Sequence, residues 1–343
     1  FTLSCPEESE LARRIIELVP CAEMVRFFKT GSASCEGAVK LARSSTGKEK
    51  VITVGGYHGF HDWFVASTHR NRGVLKVLSQ YVLTHAYNDI EAIRQTIKSR
   101  AQEIAALIME PVITVEPVPG FLEEIRALTE ANGIILIFDE MKTGFRLDIG
   151  GAQKHLGGVP DLAVLGKGHA NGFPLSALVG KRGLMRQFED DTCFMSGSYA
   201  TEKASLLAAL KTLEILQREE AIGHIWSTGR TLKAGIEAII LEHGLGDSLR
   251  AVGFAPMQHL VFSQAGEASP ADMKAFLQQE CAKAGILFVG YHHTSFAHTP
   301  QDIQKTLAVY DKTFAALAAA LRRGDLKSRL SGRPVVMRGV RKG

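Results

Sequence analysis

Short apolar runs alternate with amphipathic stretches between residues 24 and 179. The runs are too short for helices and end in Gly, Pro or charged residues, so they predict buried strands. These strands are predicted at residues 24–28, 50–54, 104–109, 134–138, 162–165 and 175–179. Helical periodicity predicts helices at residues 7–18, 89–100, 121–132, 201–218 and 226–243. Strands alternating with helices predict an α/β fold whose central sheet is mostly parallel and carries helices on both faces.

The pattern changes after residue 225. Residues 249–254 and 259–263 alternate like half-exposed strands, and a helix, a strand and a helix are predicted at 270–284, 285–289 and 300–322. We therefore expect a large domain over residues 1–225 and a small C-terminal α+β domain over residues 226–343. Because the chain starts at Phe1 and enters a helix almost at once, we also expect an N-terminal segment to be absent from it.

Charged and aromatic residues stand where predicted strands end. Asp139 follows the run at 134–138, Lys167 follows the run at 162–165, and Tyr57 follows the run at 50–54. Asp and Lys are almost never fully buried unless they are paired. Ligands bind at the carboxyl edge of parallel sheets, so these positions predict a binding site there.

Small residues between a strand and a helix form a candidate anion site. Gly31 and Ser32 precede a helical pattern, and free backbone N–H groups and the helix dipole favour an anion at such a place. A Ser helix cap without a ligand is the alternative. His58, His61 and Asp62 lie close together, but no further ligands follow at suitable spacing, so we predict no metal site.

Composition adds several exclusions. The chain has 343 residues, 45% of them hydrophobic, and a net charge of +4. Its basic cluster, residues 333–342, lacks interleaved aromatic residues, so we expect a solvated end and no nucleic-acid partner. No apolar run is long enough for a bilayer, so no membrane association is expected. Five scattered cysteines without a C-x-x-C pair favour a reducing, cytoplasmic setting.

The candidate groups together suit pyridoxal phosphate. A desolvated lysine forms Schiff bases, and a carboxylate facing the pyridine nitrogen keeps that nitrogen protonated. The helix start suits the phosphate and Tyr57 suits the flat ring. Nucleotide P-loop, Rossmann and nucleophile-elbow motifs are absent from the sequence.

The chain resembles the fold-type I, class III aminotransferases over nearly its whole length. It is most similar to the branch that contains glutamate-1-semialdehyde aminomutase and sugar-processing transaminases. The resemblance rests on V-R-F-F-K-T-G-S-A-S-C-E-G-A-V-K-L-A-R, G-Y-H-G, M-E-P, F-D-E-M-K-T-G-F-R, P-D-L-A-V-L-G-K and S-F-A-H-T.

The resemblance implies a role for each matched residue. Lys167 would bind the cofactor and move the proton, Asp139 would pair with the pyridine nitrogen, and Tyr57 and Met141 would cover the two ring faces. Gly31 and Ser32 would hold the phosphate, together with Ser198 of a neighbouring subunit in a homodimer with shared active sites. His58 of G-Y-H-G and Glu110 of M-E-P would complete the cofactor site.

Simpler interpretations of two residues remain open. Glu110 stands before Pro111 and could form a strand-end turn. Arg146 could be a structural ion-pair partner of Glu140.

Departures from the family pattern bear on the substrate. Ala33 replaces the usual Glu of the phosphate loop. Two further changes are expected at the mouth of the site: H-A-N-G-F-P follows Lys167 where the aminomutase has a Gly run, and F-M-S-G-S-Y-A-T-E replaces the usual T-x-x-G-N-P. These changes favour a transaminase that moves an amino group from a small-molecule donor, an L-amino acid such as glutamate, to an aldehyde or ketone acceptor, including sugar-like ones. A glutamate-1-semialdehyde aminomutase and a non-catalytic protein of the same fold are the alternatives.

Overall fold

The computed structural model describes residues 4–190 and 192–334. They form two compact units, one of residues 4–113, 117–190 and 192–220 and the other of residues 114–116 and 221–334. The division therefore precedes the helix Ala221–Glu242, inside which the predicted boundary at residue 225 lies.

The first unit is built on a seven-stranded sheet with the order β1-β7-β6-β5-β4-β2-β3. Its strands are β1 (Met24–Phe28), β2 (Lys50–Val54), β3 (Val82–His85), β4 (Ile104–Met109), β5 (Ile135–Asp139), β6 (Leu162–Leu165) and β7 (Ser176–Gly180). Strands β3, β2, β4, β5 and β6 are mutually parallel, and β7 runs antiparallel to both β6 and β1. The predicted α/β fold with a mostly parallel sheet is confirmed.

Helices cover both faces of this sheet. They are α1 (Pro6–Leu18), α2 (Gly31–Thr46), α3 (Asp62–Val65), α4 (Ile90–Arg100), α5 (Phe121–Ala131), α6 (Gly151–Leu156), α7 (Arg182–Met185) and α8 (Lys203–Arg218). Apolar side chains of α1, α4, α5 and α8 form the core on one face, and those of α2, α3 and α7 form the core on the other. Strand β4 supplies Leu107 to the first core and Ile108 to the second, because successive side chains point to opposite faces.

The second unit has a three-stranded antiparallel sheet with the order β10-β9-β8. Its elements are α9 (Ala221–Glu242), β8 (Leu249–Val252), β9 (Met257–Phe262), α10 (Pro270–Lys283), β10 (Tyr291–His293) and α11 (Pro300–Arg323). Tyr310 and Phe314 of α11 are fully buried in its core.

The strand predicted at residues 285–289 is wrong. The backbone N–H of Ile286 closes the end of α10 by donating to the Cys281 carbonyl, and pairing with β9 begins only at Tyr291. Phe288 is apolar because it packs into the core of this unit. Leu287 and Val289 are 94% and 51% exposed, so the apolar run predicted neither strand pairing nor continuous burial correctly.

The buried carboxylate of Glu140 connects parts of the loop after β5. It accepts hydrogen bonds from the Thr143 hydroxyl, the backbone N–H groups of Ala152 and Gln153, and the Gln153 side-chain amide. Burial raises the pKa of Glu140 above its ordinary value, and burial lowers the pKa of Arg146. Glu140 therefore ties the loop after β5 to the start of α6.

Within residues 4–190 and 192–334, no helix has both the length and the apolar character that crossing a bilayer requires.

We expect Glu140→Gln to lower the free energy of unfolding by about 1–3 kcal/mol, because one amide NH2 would face groups that all donate hydrogen bonds. Chemical denaturation measures this change. Glu130→Gln, at an exposed helix position, is the matched control and should change stability by less than about 0.5 kcal/mol. Equal stability of the two variants would contradict the assigned role of Glu140.

Candidate active site

The loops that follow β1, β2, β5 and β6 surround one cavity of about 300 Å³. Seven of the residues selected from the sequence line it: Gly31, Ser32, Tyr57, His58, Asp139, Met141 and Lys167. The cavity thus lies at the carboxyl edge of the parallel strands, where the sequence placed a binding site.

The start of α2 forms one wall of this cavity. Thr30 caps the helix by accepting a hydrogen bond from the Ala33 backbone N–H at 3.2 Å. The Ser32 hydroxyl accepts from the Phe60 N–H at 3.2 Å. Gly59 has a φ of 105°, and a Cβ there would lie 2.6 Å from Ser32 Oγ. The loop after β2 therefore lies directly on the helix start, and only glycine permits that approach.

Asp139 is the most enclosed charged group of the cavity, with a relative exposure of 2%. Its Oδ2 lies 2.8 Å from His58 Nδ1 and 3.6 Å from the Cys35 thiol. Its Oδ1 accepts a hydrogen bond from the Met141 backbone N–H at 3.1 Å. Three separate segments therefore hold this carboxylate in one orientation. Burial, with the Asp139 charge nearby, raises the pKa of the Cys35 thiol well above its ordinary value.

His58 braces Asp139 from the loop after β2. The ring is buried and packs edge-on against Phe64 with the centroids 5.3 Å apart. Its Nε2 is buried and has no hydrogen-bond partner among the described residues. The imidazole therefore has one nitrogen on Asp139 and one nitrogen available.

Lys167 begins the turn after β6 with a φ of 49°, a left-handed conformation that is uncommon for residues other than glycine. Its side chain is exposed in the cavity, and no hydrogen bond or ion pair holds its amine within residues 4–190 and 192–334. Met141 lies close by, because a Cβ on Gly31 or Gly166 would meet Met141 Sδ at 2.8 or 2.6 Å. Lys167 and Met141 thus line the same cavity.

Two of the selected residues do not line the cavity. Glu110 is buried at the end of β4, where its Oε1 accepts a hydrogen bond from the Tyr57 backbone N–H at 2.8 Å. Ser198 is exposed, and its neighbours Ser196 and Gly197 line a different cavity of about 220 Å³. Within a single chain, the structure therefore brings neither side chain to the wall formed by Gly31 and Ser32.

Among the lining residues that escaped the sequence analysis are Lys29 and Cys35, which belong to the same cavity as Asp139 and Lys167. Phe173 also lines this cavity, and it belongs to the H-A-N-G-F-P segment that the sequence analysis singled out. Cys35 lies one helical turn after Gly31 and Ser32, so helical spacing from the anion site was a usable signal. Lys29 carried no comparable signal, because its ion pair with Glu202 at 2.7 Å joins distant parts of the chain. No group of three or more metal-ligating side chains occurs in the part of the chain that the structure describes.

His169, two residues after Lys167, is completely buried. Its ring stacks on Phe145 with the centroids 5.4 Å apart and an interplanar angle of 23°. Neither ring nitrogen has a hydrogen-bond partner among the described residues. Burial lowers the pKa of His169 from 6.5 to about 4. The stack joins the turn that carries Lys167 to the loop that follows Asp139.

Comparison with known sequences places these features in one family. The sequence profile of the family described as aminotransferase class-III matches residues 2–320. A 3-aminobutyryl-CoA aminotransferase of Cloacimonas acidaminovorans is 31% identical over 329 residues, which is 94% of this chain and 78% of that protein. A glutamate-1-semialdehyde 2,1-aminomutase of Thermomicrobium roseum is 34% identical over 342 residues, which is 93% of this chain and 80% of that protein.

Solved structures give the same result. The FumI protein of Sphingopyxis sp. MTA144 in a form with pyridoxal phosphate has a TM-score of 0.85 and 28% sequence identity to this chain. The superposition covers 97% of this chain and 78% of that structure. A transaminase with pyridoxal phosphate bound has a TM-score of 0.86 and 25% identity, covering 94% of this chain and 80% of that structure.

The residues of the cavity fit pyridoxal phosphate. The helix start at Gly31 and Ser32 offers backbone N–H groups for a phosphate. Asp139 offers a fixed carboxylate for the ring nitrogen, and Lys167 offers an amine for the aldehyde carbon. His58 Nε2, which is buried and has no partner among the described residues, leaves one further hydrogen-bonding atom at this wall of the cavity.

We expect His169 to make the fold sensitive to acid. A folded-state pKa of about 4 against an ordinary value of 6.5 means that the unfolded chain binds the proton more tightly. The contribution of His169 therefore lowers the free energy of unfolding as pH falls from 7 towards 4, by about 2 kcal/mol at pH 5. His169→Phe and His169→Leu should both remove this part of the pH dependence, measured by urea unfolding at pH 7 and pH 5.

The two variants control for each other, since phenylalanine keeps an aromatic ring against Phe145 and leucine does not. A pH dependence as steep as that of the unmodified protein in both variants would contradict the assignment.

Proposed function

The chain belongs to the class III aminotransferases, which are pyridoxal-phosphate enzymes, and from this premise we propose that it is a transaminase acting on a carbonyl acceptor other than glutamate 1-semialdehyde. The amino donor is an L-amino acid such as glutamate, and the acceptor is an aldehyde or ketone, with sugar-like carbonyls included. The observation that carries this proposal is that one cavity is lined both by a fixed buried carboxylate, Asp139, and by the amine of Lys167, which has no ion pair among the described residues.

Each protein group has a distinct task in this reaction. Pyridoxal phosphate, when bound, supplies an electron sink that stabilises negative charge at the carbon from which a proton leaves. Asp139 holds a proton at the pyridine nitrogen, since His58 and the Met141 N–H keep its carboxylate aimed into the cavity. Gly31 and Ser32 hold the phosphate, and Tyr57 and Met141 cover the ring faces.

Lys167 has two tasks. Its amine would hold the cofactor at the aldehyde carbon, and when not engaged there it would move the proton at the donor α-carbon. An amine with no ion pair among the described residues is free for both tasks. The apolar and aromatic wall formed by Phe173 and Pro174, within the altered segment after Lys167, then contacts the donor or acceptor side chain.

The homodimer with shared active sites also belongs to this proposal. Ser198 is exposed and lies outside the cavity of its own chain, so a partner subunit is the route by which it reaches a phosphate. Phe194 and Tyr199, on either side of Ser198 in the chain, are 69% and 64% exposed in the first unit and do not line the cavity. Exposed aromatic rings of this kind are enriched at protein interfaces.

The runner-up is a glutamate-1-semialdehyde aminomutase. The 34% identity to the aminomutase of Thermomicrobium roseum favours it. It would use the same Asp139 and Lys167, but it would need neither an external amino donor nor an external acceptor.

We expect excess L-glutamate to convert the visible absorption band of the lysine-bound cofactor into that of its amine form, and a carbonyl acceptor to reverse the change. Stopped-flow spectra across a panel of donors and of aldehyde, ketone and sugar-like acceptors measure both halves. Lys167→Ala should lower turnover at least about a hundredfold, because proton transfer loses its base.

Turnover of glutamate 1-semialdehyde without any added donor or acceptor would favour the aminomutase instead. Full activity of Lys167→Ala would refute the role of that amine.

We expect hybrid dimers to recover a working site. Ser198→Asp should weaken cofactor binding by placing a carboxylate near the phosphate, and Lys167→Ala should be inactive. A purified hybrid with one chain of each kind contains one intact site, since Lys167 and Ser198 would come from different chains, and should show about half of the wild-type activity. No recovery in a hybrid whose composition is verified would contradict shared active sites.

A further inference from the structure

We propose that Glu110 and Lys142 form a clamp that sets the position of Tyr57, and that Lys142 is therefore a positioning residue of the active site. The inference rests on the proposed function, because it concerns how the ring of Tyr57 is held against the cofactor. Neither Glu110 nor Lys142 lines the cavity, so both would act through Tyr57.

The sheet brings the three parts of the clamp together. Strand β4 lies between β2 and β5, with Met109 in register with both Val54 and Phe138. All three strands are parallel, so the loops that follow them leave the same edge side by side. Glu110 follows β4 directly, Tyr57 lies in the loop after β2, and Lys142 lies in the loop after β5.

Glu110 bonds to both neighbouring loops. Its Oε1 accepts the hydrogen bond from the Tyr57 N–H at 2.8 Å, and its Oε2 pairs with Lys142 Nζ. The Glu110 side chain is 5% exposed and that of Lys142 is 29% exposed. One carboxylate oxygen thus contacts the loop after β2 and the other contacts the loop after β5, in a largely enclosed space.

The backbone beside Tyr57 fits closely against this carboxylate. Gly56 has a φ of 74°, and a Cβ there would lie 2.7 Å from Glu110 Oε1. The Tyr57 ring itself is 51% exposed and meets Phe64 edge-on with the centroids 5.6 Å apart. A charge-assisted hydrogen bond at the backbone and an edge-on ring contact therefore both act on the position of the ring.

The positive charge of Lys142 maintains this arrangement. A buried carboxylate that loses its cation either takes up a proton or draws in water. Both changes weaken its hydrogen bond to the Tyr57 N–H, because charge-assisted hydrogen bonds are the stronger ones. Replacing Lys142 therefore shifts the Tyr57 ring without removing any group that contacts the cofactor.

The test compares Lys142→Met and Lys142→Gln with the conservative Lys142→Arg. Two measurements are made on each folded variant: the dissociation constant for pyridoxal phosphate by equilibrium dialysis, and the visible circular dichroism of the bound cofactor, which reports the asymmetry of its surroundings. We expect Lys142→Met and Lys142→Gln to bind the cofactor about tenfold more weakly and to lose dichroic intensity. Lys142→Arg should restore both, because the charge is kept.

Lys154→Met is the matched control. Lys154 pairs with Asp148 at 3.3 Å and is 51% exposed, away from the cavity. The Lys154→Met variant should retain the wild-type affinity for pyridoxal phosphate and the wild-type dichroism of the bound cofactor. A thermal melt of every variant separates a change in cofactor binding from a general loss of stability.

The outcomes distinguish this proposal from the one on which it rests. Wild-type affinity and dichroism in Lys142→Met and Lys142→Gln would overturn the clamp, as would equal losses in Lys142→Arg, while normal wild-type turnover would leave the transaminase proposal standing. Absence of cofactor binding by the wild-type protein would overturn both. A double variant with Glu110→Gln no weaker in binding than Glu110→Gln alone would support the clamp, since both substitutions would remove the same contact.

Discussion

Burial of the Asp139 carboxylate at the end of a central strand is the constraint on which the first unit depends. A charge in such a place is costly unless other groups compensate it. The compensating groups come from three directions: the His58 imidazole, the Cys35 thiol and the Met141 backbone N–H. The loop after β2, the first turns of α2 and the loop after β5 must therefore converge on one point. The cavity is the space that this convergence leaves.

Neighbouring carboxylates extend the same principle. Glu140 follows Asp139 directly, and its four hydrogen bonds connect the loop after β5 to α6 instead of to the cavity. Glu110, one strand away, connects the loops after β2 and β5. Three buried acids at adjacent strand ends thus have different tasks: one faces the cavity and two hold the loops that surround it. Their chemistry is identical, and only their surroundings separate the roles.

Much of the fold followed from the pattern of apolar residues. All six strands predicted up to residue 179 match β1, β2, β4, β5, β6 and β7 to within one residue at each end, because buried strands read as continuous apolar runs. The predicted strands at 134–138 and 175–179 each lie one residue before the observed β5 and β7. Strand β3 was missed, since three of its four residues are only partly buried and its sequence lacks such a run.

Some residues of the site could be predicted from the sequence and others could not. Asp139 and Lys167 were accessible from the sequence because each follows an apolar run. The contacts of Glu110 with Tyr57 and Lys142 could not be predicted from the sequence, because they depend on which strands are neighbours in the sheet. The burial of His169 against Phe145 was hidden for a related reason: a histidine in a polar, glycine-rich segment gives no local sign of enclosure.

The amino-acid sequence alone determined the alternation of strand and helix and the class of cofactor, and it predicted Asp139 and Lys167 as the candidate residues to hold that cofactor. Those properties depend on residue type and on order along the chain. Tertiary structure decided which charges meet, how deeply each is enclosed and which side chains reach the cavity. These depend on the lateral order of the strands, β1-β7-β6-β5-β4-β2-β3, which differs from their order in sequence. Lys142 and Glu110, 32 positions apart in the chain, are in contact because their strands are neighbours in the sheet.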